Sequence, residues 1–410
     1  MALQKTFDSA PAKVHPLVAA LGRQIHAGRL RVVFPDGGAL DLAGPQAGPD
    51  AEVRLHRPGK VLRRLVASGD LGFAECYMDG DFDTPDLSAL LALAARNYEH
   101  WQEILSGSAF YRALQRLLHL ARPNTQRGAK RNIAYHYDLG NGFYEAWLDP
   151  SMTYSAACFE APEQSLENAQ LAKYRRLAAQ LDLQPGQRLL EIGCGWGGFA
   201  EYAAREAGVE VTAVTISHEQ YAYAKQRIRR ANLDNQVEIR LQDYRDVEER
   251  FDRIASIEMF EAVGEAYWPL FFRKVHDSLK AGGRAALQII TIDETAFDSY
   301  RRGADFIQRY IFPGGMLPSL PVLKQETSTA GLTWLQEQAF GQDYARTLAS
   351  WHARFERAWP KLRAEEGSGA GRGGGFDERF RRMWTYYLAY CEAGFLSGRI
   401  DVRQIALARA

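Results

Sequence analysis

Residues 188–198, Arg-Leu-Leu-Glu-Ile-Gly-Cys-Gly-Trp-Gly-Gly, constrain the fold of this chain more than any other stretch. An apolar run passes directly into a glycine-rich turn, and a helix-compatible segment follows from about Phe199. Glycine has no Cβ, so such a turn can bend tightly and let a ligand approach bare backbone. The flanking segments extend the pattern. Pro162 suits a first helical turn, Leu166, Leu171, Tyr174, Leu177 and Leu181 follow at near-helical spacing, and Pro185-Gly186 is placed to stop the helix. Strand candidates then fall at Arg188–Ile192, Val209–Thr215, Val237–Leu241, Arg253–Ile257 and Arg284–Ile292, most of them separated by helical stretches. That alternation predicts an α/β domain with a mostly parallel, doubly wound sheet.

Gly193, Gly195 and Gly198 satisfy G-x-G-x-x-G, so the turn alone serves a dinucleotide or a methyl donor. Three neighbouring features favour S-adenosylmethionine. Glu191 lies on the strand end before the turn, where an acid can meet an amino group. Thr215 ends the second strand, where a dinucleotide site expects a ribose-binding acid. Asp243-Tyr244 ends the third strand and offers an acid and a ring face to an adenine, although Asp243 could equally cap a helix. Cys194 reads as a small residue in a crowded turn.

Outside this core the sequence is less specific. Fifty basic residues balance fifty acidic ones, so any attraction to a membrane must come from a local patch, and nothing points to nucleic acid. Cys76, Cys158, Cys194 and Cys391 are widely spaced, which argues against a zinc site or disulfide framework and fits a reducing cytoplasm. With no hydrophobic leader and no long apolar run, the expectation is a soluble intracellular protein. Residues 1–105 read as a small N-terminal domain, with helices around Leu62–Val66 and Leu87–Leu93 and turns at Gly69-Asp70 and Gly80-Asp81. Residues 106–131 carry Arg112, Arg116, Arg122, Arg127, Lys130 and Arg131 and no acid. They read as a basic amphipathic linker, fit either to lie on an anionic lipid surface or to connect domains. Residues 132–410 form the catalytic domain, whose tail from 295 reads as mainly helical and aromatic, with a flexible loop at 367–375.

The chain resembles the cyclopropane-fatty-acid synthases, the phospholipid-modifying bacterial enzymes and their mycolic acid relatives. The resemblance runs over nearly the whole length. It rests on His136-Tyr137-Asp138, Asn141-Gly142-Phe143-Tyr144, Tyr154-Ser155, the glycine turn, Thr215-Ile216-Ser217 with Gln220, Phe260-Glu261, and Ile311-Phe312-Pro313-Gly314-Gly315. It implies a class I methyltransferase fold, Rossmann-like, with a small N-terminal domain and helical additions forming an acyl pocket. The implied reaction is methyl transfer from S-adenosylmethionine to a cis double bond in a phospholipid acyl chain, giving a cyclopropane. The implied partners are the inner face of the cytoplasmic membrane and a second copy of the chain.

Carried over residue by residue, the resemblance assigns the donor to Tyr154, Ser155, Gly193, Gly195, Trp196, Thr215, Ile216, Ser217, Gln220, Asp243 and Tyr244. Phe297, Tyr300, Phe306, Tyr310 and Phe312 are candidates for the acyl pocket, each equally explicable as core. The family's base is a bicarbonate held by Cys, Glu, His and Tyr side chains and a backbone group. Glu261, Tyr344 and Ile290 match three of these, but Ala156 stands for the Cys and Gln288 for the His. Gln288 can still donate an amide hydrogen bond, whereas the Ala156 side chain contributes nothing. Cys158 would face the same side as position 156 in an extended segment, yet a buried small hydrophobe is its simpler role. The expectation is therefore retained methyl transfer with weakened bicarbonate binding, and a methyl- or methylene-branched acyl product as the alternative.

Overall fold

The computed structural model describes residues 22–105, 139–366 and 376–410. The basic linker, the His136-Tyr137-Asp138 motif and the loop at 367–375 lie outside them. The chain divides into two compact units. The first takes in the described residues up to 105 together with 302–306, 359–366 and 376–399, and the second takes in 139–301, 307–358 and 400–410.

The first unit contains a sheet that its polar, irregular sequence concealed. Strands β1 (Ala27–Val33), β2 (Ala39–Ala43), β3 (Gln46–Leu55) and β4 (Phe82–Asp83) run in the order β2-β1-β3-β4. Helix α1 (Pro58–Met78) starts on Pro58 and is interrupted at Gly69, whose φ of 61° no helical residue adopts. The glycine read from sequence as punctuation is thus a kink inside one helix. Helix α2 (Leu87–Arg96) is capped by Asp86 and followed by α3 (Tyr98–Leu105). Between them buried Asn97 accepts from the amides of His26 and Ala27 and donates to the carbonyls of Ala27 and Leu93, which ties α2 to β1.

The second unit opens with α4 (Asn141–Glu145) and α5 (Leu166–Leu181). Ser165, not Pro162, caps α5, and the helix ends at Asp182 in a left-handed conformation, ahead of Pro185. Leu171, counted above among the apolar positions, is exposed, and Lys173 is buried in the row formed by Ala169, Leu177 and Leu181. The sheet follows as β5 (Arg188–Ile192), β6 (Glu210–Thr215), β7 (Val237–Leu241), β8 (Phe251–Ile257) and β9 (Leu279–Ile292). Helices α6 (Gly198–Ala207), α7 (His218–Arg230) and α8 (Trp268–Ser278) lie between them. These five strands are parallel, and consecutive residues of β5 bury on opposite faces. Leu189 joins the cluster with Phe199 and Ala224, whereas Leu190 and Ile192 join the one with Phe260, Trp268 and Phe271.

The tail beyond 295 is mainly helical, as its sequence suggested, and it also supplies two strands that the sequence did not reveal. After α9 (Glu294–Arg301) and α10 (Leu320–Thr329), β10 (Leu332–Ala339) pairs antiparallel with β11 (Ile400–Arg409), which pairs antiparallel with β9. The resulting seven-stranded order is β10-β11-β9-β8-β5-β6-β7. The chain reverses direction across the sheet at β5, and in such sheets ligands gather beyond the carboxyl ends of the strands at that point. Among the described residues, no helix is long and apolar enough to cross a membrane.

Candidate active site

The carboxyl end of β5 is shaped by backbone conformation. Gly193, Gly195 and Gly197 have φ of 81°, 52° and 82°. The amides of Gly193 and Cys194 both donate to the Val214 carbonyl, at 3.0 and 3.1 Å, which locks the turn to β6. A Cβ at Gly193 would lie 2.6 Å from Met259 Cγ, so this glycine is sterically required. A Cβ at Gly195 meets no protein atom within 4 Å, so only conformation and ligand approach ask for glycine there. Trp196 is buried, donates from Nε1 to Asn141 Oδ1 at 2.7 Å, and packs against Tyr144. Tyr154 is half-buried among Tyr144, Trp147 and Trp351.

At the end of β6, Thr215 donates to Gln220 Oε1 at 2.9 Å and accepts from the Ser217 amide, while Ser217 caps the helix holding Gln220. These three residues form one buried polar corner, with Ile216 half-buried between them. Asp243, at the end of β7, caps the short turn Tyr244–Asp246, and its oxygens also take the Nε and Nη2 of Arg245. Tyr244 packs edge-on to Phe271. Glu191 does not project into the crevice: its carboxylate is held by the Ala200 amide and burial raises its pKa to about 8. The bare glycine backbone and the Thr215–Gln220 corner, side by side at the switch point, fit S-adenosylmethionine.

The end of β8 is built from side chains. Glu258 directly follows the strand with φ of 49°, a left-handed conformation rare outside glycine. Its carboxylate accepts from the Ala156 amide at 2.8 Å, from Gln288 Nε2 at 2.7 Å and from Tyr344 Oη at 2.6 Å. Gln288 is in turn fixed by Gln404 Nε2 at 3.0 Å. Three residues on, Glu261 Oε1 accepts from the Ile290 amide at 2.6 Å, while its buried Oε2 has no hydrogen bond among the described residues. Burial, reinforced by the charge of Glu258, raises the Glu261 pKa to about 8. Burial also raises Glu258, but Tyr344, Ala156, Gln288 and Lys173 all oppose that rise.

Segment 153–159 closes this end of the site. The amides of Ala157 and Phe159 donate to Thr347 Oγ1 and Asp343 Oδ2 on helix α11 (Gly341–Glu366). Ser155 takes the ammonium of Lys173 on its Oγ at 2.7 Å. Lys173 is fully buried, which pulls its pKa down to about 8. Cys158 is buried and burial pushes its thiol up to about 12, as for a packed small side chain rather than an anion ligand.

Of the catalytic residues expected from sequence, Gln288 and Tyr344 meet on one carboxylate, and Ile290 binds Glu261 separately. Glu258 and Lys173 were missed. A lysine in an i, i+4 row of apolar residues was the available sign of the second. The five aromatic pocket candidates do not form one group. Phe297 and Tyr300 pack in the core of the second unit, and Tyr300 Oη meets Gln308 Nε2 and the Leu317 amide. Phe306 packs with Tyr386 and Tyr390 in the first unit. Tyr310 and Phe312 are half-buried in and just after the π-helical turn Ile307–Ile311.

Comparison with known proteins identifies a family and a fold. A family model described as mycolic acid cyclopropane synthetase matches residues 124–405. A tuberculostearic acid methyltransferase of Mycobacterium tuberculosis is 37% identical over 390 residues, covering 93% of this chain and 88% of the relative. The cyclopropane-fatty-acyl-phospholipid synthase of Escherichia coli is 36% identical over 365 residues, covering 88% of each. A mycolic acid cyclopropane synthase crystallised with SAH and CTAB superposes with a TM-score of 0.60 at 31% identity, covering 68% of this chain and 98% of its own.

Proposed function

Because the chain belongs to the mycolic acid cyclopropane synthetase family and is an S-adenosylmethionine-dependent methyltransferase, we propose that it methylates a cis double bond in a phospholipid acyl chain. The observation that carries this reading is the pair of carboxylates, Glu258 and Glu261, on the strand end beside the donor turn. An alkene is a weak nucleophile, so its reaction needs close positioning and exclusion of water. It needs a proton acceptor only after the new carbon–carbon bond has formed, and that acceptor must sit where the acyl chain lies. Tyr344, hydrogen-bonded to Glu258, packs on Trp351, which in turn packs on half-buried Tyr154, and rings at this end of the site can stabilise a passing cation.

When bound, the donor supplies a methyl group carrying a full positive equivalent. Gly193, Gly195, Trp196, Tyr154 and Ser155 hold its methionine end, Thr215, Ile216, Ser217 and Gln220 its ribose, and Asp243 and Tyr244 its adenine. Of the five aromatic candidates, Tyr310 and Phe312, half-buried in the second unit, flank the acyl chain. The enzyme works at the cytoplasmic face of the membrane, attached peripherally through the basic segment 106–131, and as a homodimer.

The primary product is a cyclopropane. The similarity to a tuberculostearic acid methyltransferase, together with Ala156 and Gln288, favours a second reading in which a hydride shift precedes proton loss and leaves a methylene branch. Mass spectrometry of lipids from cells expressing the chain, with derivatisation to separate ring from branch, tests both. A complete absence of methylated acyl chains would sink the olefin reading.

A further inference from the structure

The bicarbonate implied by the resemblance does not fit this chain. Three donors that would hold it, at positions 156, 288 and 344, already converge on Glu258. A carboxylate and a bicarbonate share a planar O–C–O group and one negative charge. A second anion in the same pocket would face that charge directly, and like charges at short range disfavour each other's ionised forms.

We propose that Glu258 is the proton-accepting carboxylate of this enzyme, built into the chain in place of an external bicarbonate, and that Lys173 is the positioning residue that keeps it ionised. The backbone supports the assignment. A glutamate in a left-handed conformation persists only where its surroundings over-determine it, and such residues gather at functional sites. The strand pairing runs through the strained residue, since the Glu258 amide donates to the Gln288 carbonyl at 2.8 Å.

Lys173 adds a second, independent observation. It is 0% exposed, and its Nζ donates to Ser155 Oγ, the residue adjoining the Ala156 amide that binds Glu258. A buried ammonium with a hydroxyl acceptor needs a nearby counter-charge. The acidic groups that face it are Glu258, foremost, then Cys158, Asp149 and Glu191. The titratable groups that face Glu258 are Tyr344, Lys173 and Glu261. Gln404 joins the two sides, donating to the Gln288 side chain and to the Lys173 carbonyl.

The two glutamates therefore divide the labour. Glu258, with three donors and a buried cation, carries the charge. Glu261, with one donor and a bare oxygen, carries a proton. Pairs of acids whose surroundings push them apart in this way take different roles. The step balances. The alkene π pair forms the bond to the methyl carbon as the carbon–sulfur pair leaves with sulfur. Glu258 then takes one proton from that carbon, and the freed pair closes the ring. A positive sulfonium and a carboxylate become a neutral sulfide and a carboxylic acid, with no further reactant.

The chemical step rests on the methyl-transfer reading above, whereas the anion site does not, and the experiment separates them. Glu258→Gly is the informative variant, because glycine accepts the left-handed backbone and leaves space the size of a carboxyl group. Parent and variant are assayed for methylated lipid in carbon-dioxide-depleted buffer with and without bicarbonate, and titrated with labelled bicarbonate by nuclear magnetic resonance. Calorimetric S-adenosylmethionine binding confirms that the variant folds. The parent should turn over equally in both buffers and bind no bicarbonate. The variant should bind bicarbonate, slow by about 10²–10⁴-fold without it, and recover with it. Three results overturn the proposal: a parent that loses turnover on depletion, a variant as fast as the parent without bicarbonate, or a variant that neither binds nor responds to it. If neither protein methylates lipid, the functional reading fails, and the binding titration alone decides the anion site.

Discussion

The carboxyl ends of β5 and β8 lie side by side in one sheet and are built by opposite means. The β5 end works through what is missing: glycines at positive φ leave backbone bare, and few side chains take part. The β8 end works through what converges, because Glu258 draws partners from 102, 30 and 86 residues away. A glycine turn tolerates no side chain but little depends on its distant neighbours. A buried carboxylate tolerates many neighbours but fails when any one donor or counter-charge is removed. Substitutions at the first end should therefore abolish donor binding and spare the fold, while those at the second should spare donor binding and disturb turnover or stability.

The sharpest break between the two is Gly195→Val. At φ of 52° a β-branched residue is strained, yet its Cβ meets no protein atom within 4 Å. The strain amounts to about 1–3 kcal/mol, a loss of only a few degrees in melting temperature for a chain of this size. Affinity for S-adenosylmethionine should fall more than about 100-fold, or ~2.7 kcal/mol, by calorimetry. Unchanged affinity in the folded variant would remove the turn from the donor site.

Lys173→Met tests the opposite end. Losing the buried ammonium leaves Ser155 Oγ without its donor and withdraws a counter-charge from Glu258, at a cost of about 1–3 kcal/mol. The double variant Lys173→Met with Glu258→Gln should be more stable than the two single costs imply, by about 0.5–3 kcal/mol. A pH signature accompanies it. Burial lowers Lys173 from 10.5 to about 8, so the folded protein binds fewer protons than the unfolded chain between those values. Its contribution to stability therefore rises with pH across that window and is absent in Lys173→Met. Glu261 runs the other way. Its pKa, raised from 4.5 to about 8, makes its contribution fall as pH rises between those values. Removing Lys173 also makes Glu258 harder to ionise, so the acidic limb of the activity profile should move to higher pH. Additive stabilities and an unmoved limb would leave Lys173 a packing residue.

The same contrast explains what could be read from sequence. The glycine turn and the strands at Arg188–Ile192 and Val237–Leu241 were legible to the residue, because the buried central strand writes an apolar run locally and the edge strand an apolar–polar alternation. Strands β10 and β11 were not, since β10 is a mostly exposed edge and β11 has only the short apolar run Ile405–Ala408, which suits a buried helix as well as a strand. Glu258 was hidden because Glu261, three residues later, matched a known motif, and nothing local marks a carboxylate whose partners are distant. Tyr344 and Gln288 were found only through the resemblance, which assigned them to a bicarbonate and not to a side chain.

Tyr344→Phe is a gentler probe. It deletes one of three donors to Glu258 and preserves the ring packed against Trp351. A hydrogen bond to a charged group contributes about 1.5–3 kcal/mol, so turnover should fall roughly 10–100-fold with donor affinity intact. A loss of donor affinity instead would merge the two strand ends into one site.

Cys158→Ala should have the smallest effect, and it tests whether the two ends are as separate as drawn. In an extended strand Cys158 would share a side with position 156, where the resemblance expects a cysteine ligand. The structure gives it a different setting. Its amide donates to the Ala169 carbonyl at 3.1 Å, it is 5% exposed, and burial holds the thiol protonated with a pKa of about 12. A neutral thiol packed in this way acts as a small hydrophobe, and removing its sulfur should cost about 1 kcal/mol, or roughly 1–2 °C for a chain of this length. Turnover should stay within about twofold, since no group on Glu258 changes. A tenfold loss of turnover at unchanged stability, an effect of about 1.4 kcal/mol on the transition state alone, would place Cys158 in the anion site and reopen the role assigned to Glu258.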